Sequence, residues 1–241
     1  MSESNLETAA APVQPMTWDP LTPLERRVLG VLIEKQKTSK TSDAYPMTLN
    51  SLTTGCNQKS NREPVMELSD EEVEETLLAL NKRILVNKVQ GGRVEKWRHL
   101  LYDLWKVSQV EMAILAELLL RGPQTEGDLR GRASRMNDIP DLETLRVLLS
   151  GLAARNLVVY VTPGGRGAVV THGFHPAVEL EQERKRHGGS VGVSEVVRSE
   201  PVRTSHNPAL EARLAEALEQ IVELKERVAR LEAWANTAHG G

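Results

Sequence analysis

The chain has 241 residues, a formal net charge of −3 and a sequence pI near 6.1. That length suits one large domain or two small ones, and the near-balance of charge argues against a generic polyanion binder, which needs a basic excess to release counterions from phosphate. Aromatic residues make up 3% of the chain, too few to stack the bases of a single strand, and the one cysteine, Cys56, permits no internal disulfide and no cysteine-rich zinc site.

The opening "MSESNLETAAAPVQP" has no basic region followed by an apolar core, so no signal peptide is expected. No apolar run is long enough to span a bilayer. A lone cysteine fits a reducing compartment, and a cytoplasmic location is expected. Residues 1–19, rich in Ala, Pro, Ser and Glu without periodicity, read as a disordered tail.

Thr22-Pro23-Leu24-Glu25 then starts a helix: a capping Thr, Pro in the first turn, and Glu three residues after the cap. Leu24, Val28, Val31 and Leu32 follow at helical spacing. Thr48 opens a short second helix that ends near Gly55. Ser69-x-x-Glu72 is a further capping box, with Val73, Leu77, Leu78 and Leu80 as the apolar stripe behind it. Two β-rich runs around Gly91-Gly92 read as a hairpin.

The same order then recurs. "VSQVEMAILAELLLRG" starts with the capping pair Ser108 and Glu111, "TEGDLRGRAS" is a short helix from Thr125, and "DLETLRVLLSGLAARN" is a longer one capped by Asp141. "LVVYVTPGGRGAVVTHGF" is a second hairpin, turning at Gly164-Gly165. Helix, helix, helix, hairpin, twice over, is the pattern of tandem winged helices, at residues 20–106 and 107–186.

A linker rich in Gly, Ser, Pro and charge is expected over 187–208, and a helix over 209–236. In that helix Leu214, Ile221, Val228 and Ala235 are seven apart, and so are Leu210, Ala217, Leu224 and Leu231. The two series interlock at a and d spacing, and β-branched a positions with Leu at d favour a parallel two-stranded coiled coil. A weak homodimer through this helix is expected; the alternative is an amphipathic helix docked on its own chain. The fold class is thus α+β: two tandem winged-helix domains (helix-turn-helix plus β-hairpin), followed by a C-terminal coiled-coil helix.

"LTPLERRVLGVLIEKQKT", "YPMTLNSLTTGCNQKSNREPVM" and the leucine-rich helix running into "ILVNKV" together resemble the YceH family of bacterial proteins. The resemblance covers roughly residues 20 to 186, and "CNQKSNREP" is its most specific part. It implies a pair of winged-helix domains and brings no catalytic residues.

No residue set calls for catalysis. Cys56 has Lys59 and Arg62 near it in sequence but no histidine to activate it, and reads as a core residue. His172 and His175 form at most half of a metal site, and neither Gly pair makes a phosphate loop. No enzyme, cofactor or metal is expected. Binding remains. In a winged helix the third helix enters the major groove by its N-terminal end, yet here that end carries Asp70, Glu71, Glu72, Glu74 and Glu75. The third helices are therefore not expected to be conventional groove readers. The candidate contacts lie elsewhere. Asn57, Gln58, Lys59, Asn61 and Arg62 form the polar loop "NQKSNR", and Arg93, Lys96 and Arg98 lie on the first hairpin. Arg130, Arg132 and Arg135 belong to the second short helix, and Arg166 tips the second hairpin. Two functions follow as expectations: a DNA-binding regulator acting through these cations, or a protein-protein adaptor favoured by the acidic helices. The fold's common use places DNA slightly ahead.

Overall fold

A computed structural model describes residues 18–39, 41, 44–89, 94–165 and 167–188. It is α+β, with eight helices and two three-stranded antiparallel sheets among the described residues. The first repeat runs α1 (Pro23–Thr38), β1 (Met47–Thr48), α2 (Leu49–Cys56), α3 (Asp70–Lys82), β2 (Val86–Val89) and β3 (Lys96–His99). After α4 (Leu101–Trp105) the order repeats as α5 (Gln109–Arg121), β4 (Gln124–Thr125), α6 (Glu126–Ala133), α7 (Leu142–Ala154), β5 (Val158–Tyr160) and β6 (Val169–His172). The helix α8 (Ala177–Gly188) follows.

The caps set the two repeats in register. Thr22 and Ser108 close capping boxes on α1 and α5 through Glu25 and Glu111. Thr48 and Thr125 cap α2 and α6, and Ser69 and Asp141 cap α3 and α7. Each cap satisfies backbone N–H groups that the first helical turn leaves without a partner. Both sheets place their last strand in the middle, in the orders β1-β3-β2 and β4-β6-β5. In register, Val86 faces His99 and Val158 faces His172.

One device recurs where each third helix ends. Arg83 donates to Glu25 at 2.9 Å and also to the carbonyls of Asp19 and Pro20. Arg155 likewise donates to Glu111 and to the carbonyls of Trp105 and Lys106. Each guanidinium ties the end of a third helix to the start of its first helix, using the glutamate that already closes the capping box. The next residue turns left-handed in both repeats, Ile84 at φ 61 and Asn156 at φ 55.

A single apolar core runs through both repeats, from Leu29, Leu32 and Leu77 to Leu115, Leu149 and Phe174. α1 packs directly on α5. Their close approach needs Gly30, because a Cβ there would stand 2.8 Å from the Leu120 side chain. The segment before α1 lies across the second repeat. Trp18 Nε1 donates to the Arg155 carbonyl at 2.8 Å, and Leu21 N donates to that of Phe174 at 2.9 Å. Trp18 and Asp19, expected in the tail, therefore belong to the folded unit.

Other departures are local. The two-residue strands β1 and β4 and the short helix α4 were too brief to carry periodicity. α8 continues to Gly188, past the expected start of the linker at 187. The rest of that linker and the 209–236 heptads, with Leu210, Leu214, Ala217, Ile221, Leu224, Val228 and Leu231, lie outside the described residues.

Candidate functional site

The "NQKSNR" loop folds inward. Asn57 clasps its own loop, donating to the Leu68 carbonyl and accepting from Leu68 N, both at 2.8 Å. Arg62 has a side chain with 0% exposure, and all its N–H groups have acceptors. Nε donates to the Gly55 carbonyl at 3.1 Å. Nη1 reaches Glu34 Oε1 at 3.2 Å and the Asn61 carbonyl at 2.9 Å. Nη2 reaches Glu34 Oε2 at 2.6 Å and Gln58 Oε1 at 2.9 Å. A guanidinium so occupied has no donor left for a phosphate, so Arg62 is corrected from a contact residue to a structural one.

The loop also joins the repeats. Asn61 sits in the left-handed region at φ 61, and its Oδ1 accepts from Arg121 Nη2 and, at 3.2 Å, from Arg135 Nη1. Glu63 N donates to the Leu120 carbonyl at 2.9 Å. Behind them Glu117 is buried, and burial raises its pKa. Its Oε1 stands 3.0 Å from Arg121 Nε without hydrogen-bond alignment, so the two form an ion pair rather than a directional bond. Arg132 donates to Gln124 Oε1 at 2.6 Å. Thus Gln58, Asn61, Arg62, Arg132 and Arg135 belong to two adjoining polar networks at the joint. Arg130 does separate work, closing the α6–α7 loop on the carbonyls of Ile139 and Pro140.

Among the predicted contacts, Lys59 and Arg98 are exposed. Lys96 shares the outward face of β3 with Arg98 and is half-buried, while Trp97 and His99 point inward. Arg93 and Arg166 lie outside the described residues.

The outer face of the first repeat is acidic. Val73, Thr76, Leu77 and Leu80 turn α3 toward the core, which leaves Asp70, Glu71, Glu74, Glu75 and Leu78 outward. Asp70 and Glu74 face Glu95 and Trp97 across a shallow bowl of about 670 Å³ between α2, α3 and β3. In the second repeat the equivalent surface differs. Leu142, Arg146 and Val147 stand where Asp70, Glu74 and Glu75 stand in the first, and Arg146 is paired with Glu126 at 2.8 Å.

Cys56 is buried, and burial pushes its thiol up to about 12, which leaves it protonated and inert at neutral pH. The rings of His172 and His175 stack at 3.9 Å and 18°, so their nitrogens do not converge on a common ion. Among the described residues, no group of three or more His, Cys, Asp or Glu is placed to hold a metal, and no helix is long and apolar enough to cross a membrane.

Fold and surfaces together define a duplicated α+β scaffold with an interlocked polar joint and two dissimilar outer faces. The family model described as "Protein of unknown function, DUF480" matches residues 21–165, and the chain belongs to that family. A UPF0502 protein of Rhodopirellula baltica is 42% identical over 181 residues, 73% of this chain and 76% of the relative. One of Geobacter sulfurreducens is 52% identical over 136 residues, 56% of this chain and 61% of the relative. One of Shewanella pealeana is 37% identical over 221 residues, 88% and 98%. The group expected from "CNQKSNREP" is the one these matches define, under the description UPF0502 rather than YceH.

Proposed function

We propose that this is a non-enzymatic, cytoplasmic regulatory binding protein of two winged helices, at 20–106 and 107–186, whose first repeat docks on a basic protein surface. The first helices are the scaffold, α2–α3 and α6–α7 are the helix-turn-helix pairs, and each hairpin is a wing. The observation that carries the reading is the outward set Asp70, Glu71, Glu74 and Glu75 on α3, the helix that a DNA-binding winged helix would bury in the groove. Each carboxylate about 4 Å from a phosphate costs on the order of 1 kcal/mol even at the dielectric of bulk water. Acids in the first turn do stabilise the helix by about 0.3–1 kcal/mol each, but Glu74 and Glu75 lie beyond it. The inward Arg62 and the engaged Arg132 and Arg135 remove cations that DNA would need.

A second reading, DNA binding, is favoured by two observations: α7 keeps only Glu143 of the acidic stripe, and Lys59 and Arg98 stay exposed. Pairing of the 209–236 heptads would double either surface. The test is affinity capture with the full chain against a variant carrying Asp70→Asn, Glu71→Gln, Glu74→Gln and Glu75→Gln. A partner with a basic contact surface that is held by the parent and lost by the variant supports the reading. Retention by both overturns it.

A further inference from the structure

His99 and His172 end β3 and β6 at equivalent places, opposite Val86 and Val158, and they differ in one partner. In both rings Nδ1 accepts the backbone N–H two residues on, from Leu101 and from Phe174, each at 3.3 Å. With that lone pair used, the neutral ring carries its proton on Nε2. Both rings are neutral at pH 7. Burial lowers His99 to about 4, and burial, His175 and Arg26 hold His172 well below its usual value. The Nε2–H of His99 donates to Gln36 Oε1 at 2.6 Å. The Nε2–H of His172 has no protein acceptor among the described residues, and His172 lines a cavity instead.

The register explains the difference. The capping boxes align Thr22 with Ser108, which sets Gln36 opposite Gly122. α5 stops at Gly122, at φ 73, and no side chain continues toward His172. A cavity of about 440 Å³ opens there, lined by Gly122, His172, Arg26 and Arg27 and walled by apolar Met66 and Leu119. Its size is in the range of sites for small organic molecules.

The cavity presents donors in excess. Arg27 is buried and donates to the carbonyls of Cys56 and Pro64, Glu63 acts on it only at longer range, and its Nε–H is left buried without an acceptor among the described residues. Arg26 Nη1 donates to His175 Nδ1 at 2.8 Å, and Nη2 to Glu179 Oε1 at 2.8 Å. His175 Nδ1 is also 3.2 Å from Glu179 Oε1, but burial and Arg26 lower its pKa, so the neutral ring accepts from Arg26 and donates through Nε2 to Thr171 at 2.9 Å. Of the carboxylates on the cavity wall, Glu179 is held by Arg26 and Glu183 by Arg186, while Glu63 is exposed at the rim. Leaving a buried N–H without an acceptor is costly, and an anionic oxygen is the strongest acceptor it can take.

We propose that this cavity binds a small organic anion, whose carboxylate or phosphate oxygen accepts from His172 Nε2–H where Gln36 supplies the acceptor in the first repeat. The ligand would touch α1, the end of α5 and α8 at once, which makes the site an effector site spanning both repeats. This is independent of what the outer faces bind.

The test is imidazole ¹⁵N–¹H NMR on the full chain, titrated separately with benzoate and with inorganic phosphate. A saturable shift of the His172 Nε2 resonance is expected, with His99 unmoved as the internal reference for folding. Saturation with benzoate alone identifies a carboxylate ligand, and with phosphate alone a phosphate ligand. Arg26→Gln should weaken the effect about tenfold, the loss of one charge-assisted contact. His172→Phe, which keeps a ring in the core, should abolish probe-dependent thermal stabilisation. The proposal is overturned if neither probe gives saturation, if His172 drifts only in parallel with His187 on α8, or if Arg26→Gln binds as the parent does.

Discussion

The two repeats are built to one plan and finished differently. Caps, sheet order, the arginine staple at the end of the third helix and the strand-end histidine all match. Their outer faces do not: α3 is lined with carboxylates, whereas α7 keeps one, Glu143, beside Leu142, Arg146 and Val147. The buried positions and the joint carry the shared architecture, while the exposed face of the third helix is unconstrained by packing. The difference between repeats is therefore concentrated where binding would occur, and the similarity where folding needs it.

The largest expected effect breaks the symmetry at a close approach. Gly173 and Leu100 make the same backbone bond, to the carbonyls of Leu157 and Leu85. Yet a Cβ at Gly173 would stand 1.8 Å from the Asn156 carbonyl oxygen. Gly173→Ala should cost about 5 kcal/mol or prevent folding, at the upper end of single substitutions; Leu100→Ala, by the same denaturation measurement, should cost far less. Next comes the joint. Arg62→Ala strands Glu34 and the loop carbonyls, and a loss of about 3 kcal/mol is expected in urea unfolding, the lower end for a broken buried pair because Glu34 keeps some solvent. A loss below about 1 kcal/mol would make Arg62 dispensable to the fold and reopen it as a contact residue.

The histidines give a pH signature. His99 falls from 6.5 to about 4, mainly by burial, and His172 and His175 are lowered for the same leading cause. The unfolded chain thus binds more protons than the folded one between about 4 and 6.5. Their contribution to stability is fully present above 6.5 and is lost as pH falls toward 4. Each contributes a slope of up to about 1.4 kcal/mol per pH unit, measurable as a falling urea midpoint. A midpoint that stays flat from pH 7 to 5 would contradict the buried neutral rings.

The smallest effect makes the first repeat more like the second. Ile84 holds a left-handed backbone that suits Asn156 in the other repeat. A β-branched residue there is strained and Asn tolerates it, so Ile84→Asn should raise stability by about 1 kcal/mol. An unchanged or lower midpoint would mean that the exposed Ile84 side chain packs more usefully than its backbone suggests.

Much of this plan was legible in the sequence because caps are local chemistry. Thr22, Ser69, Ser108 and Asp141 marked four helix starts without knowledge of the fold. The joint was not legible. Nothing in "NQKSNR" distinguishes a guanidinium aimed at a phosphate from one aimed at Glu34, since that partner is 28 positions away. The cavity beside His172 was hidden for a related reason. It depends on Gly122 failing to supply what Gln36 supplies, and an absent side chain shows only once the two repeats are laid in register. The acidic third helix was visible from the start, and its outward orientation follows from Val73, Leu77 and Leu80 taking the core side.

The most direct test of the proposed binding role is fluorescence anisotropy of labelled duplex DNA titrated with the full chain at about 50 and 200 mM salt. No saturable binding is expected at either concentration, because α3 faces outward with its carboxylates and Arg62 is turned into the joint. Saturable binding that falls steeply between the two salt concentrations would contradict it and make the exposed cations Lys59 and Arg98 the place to look.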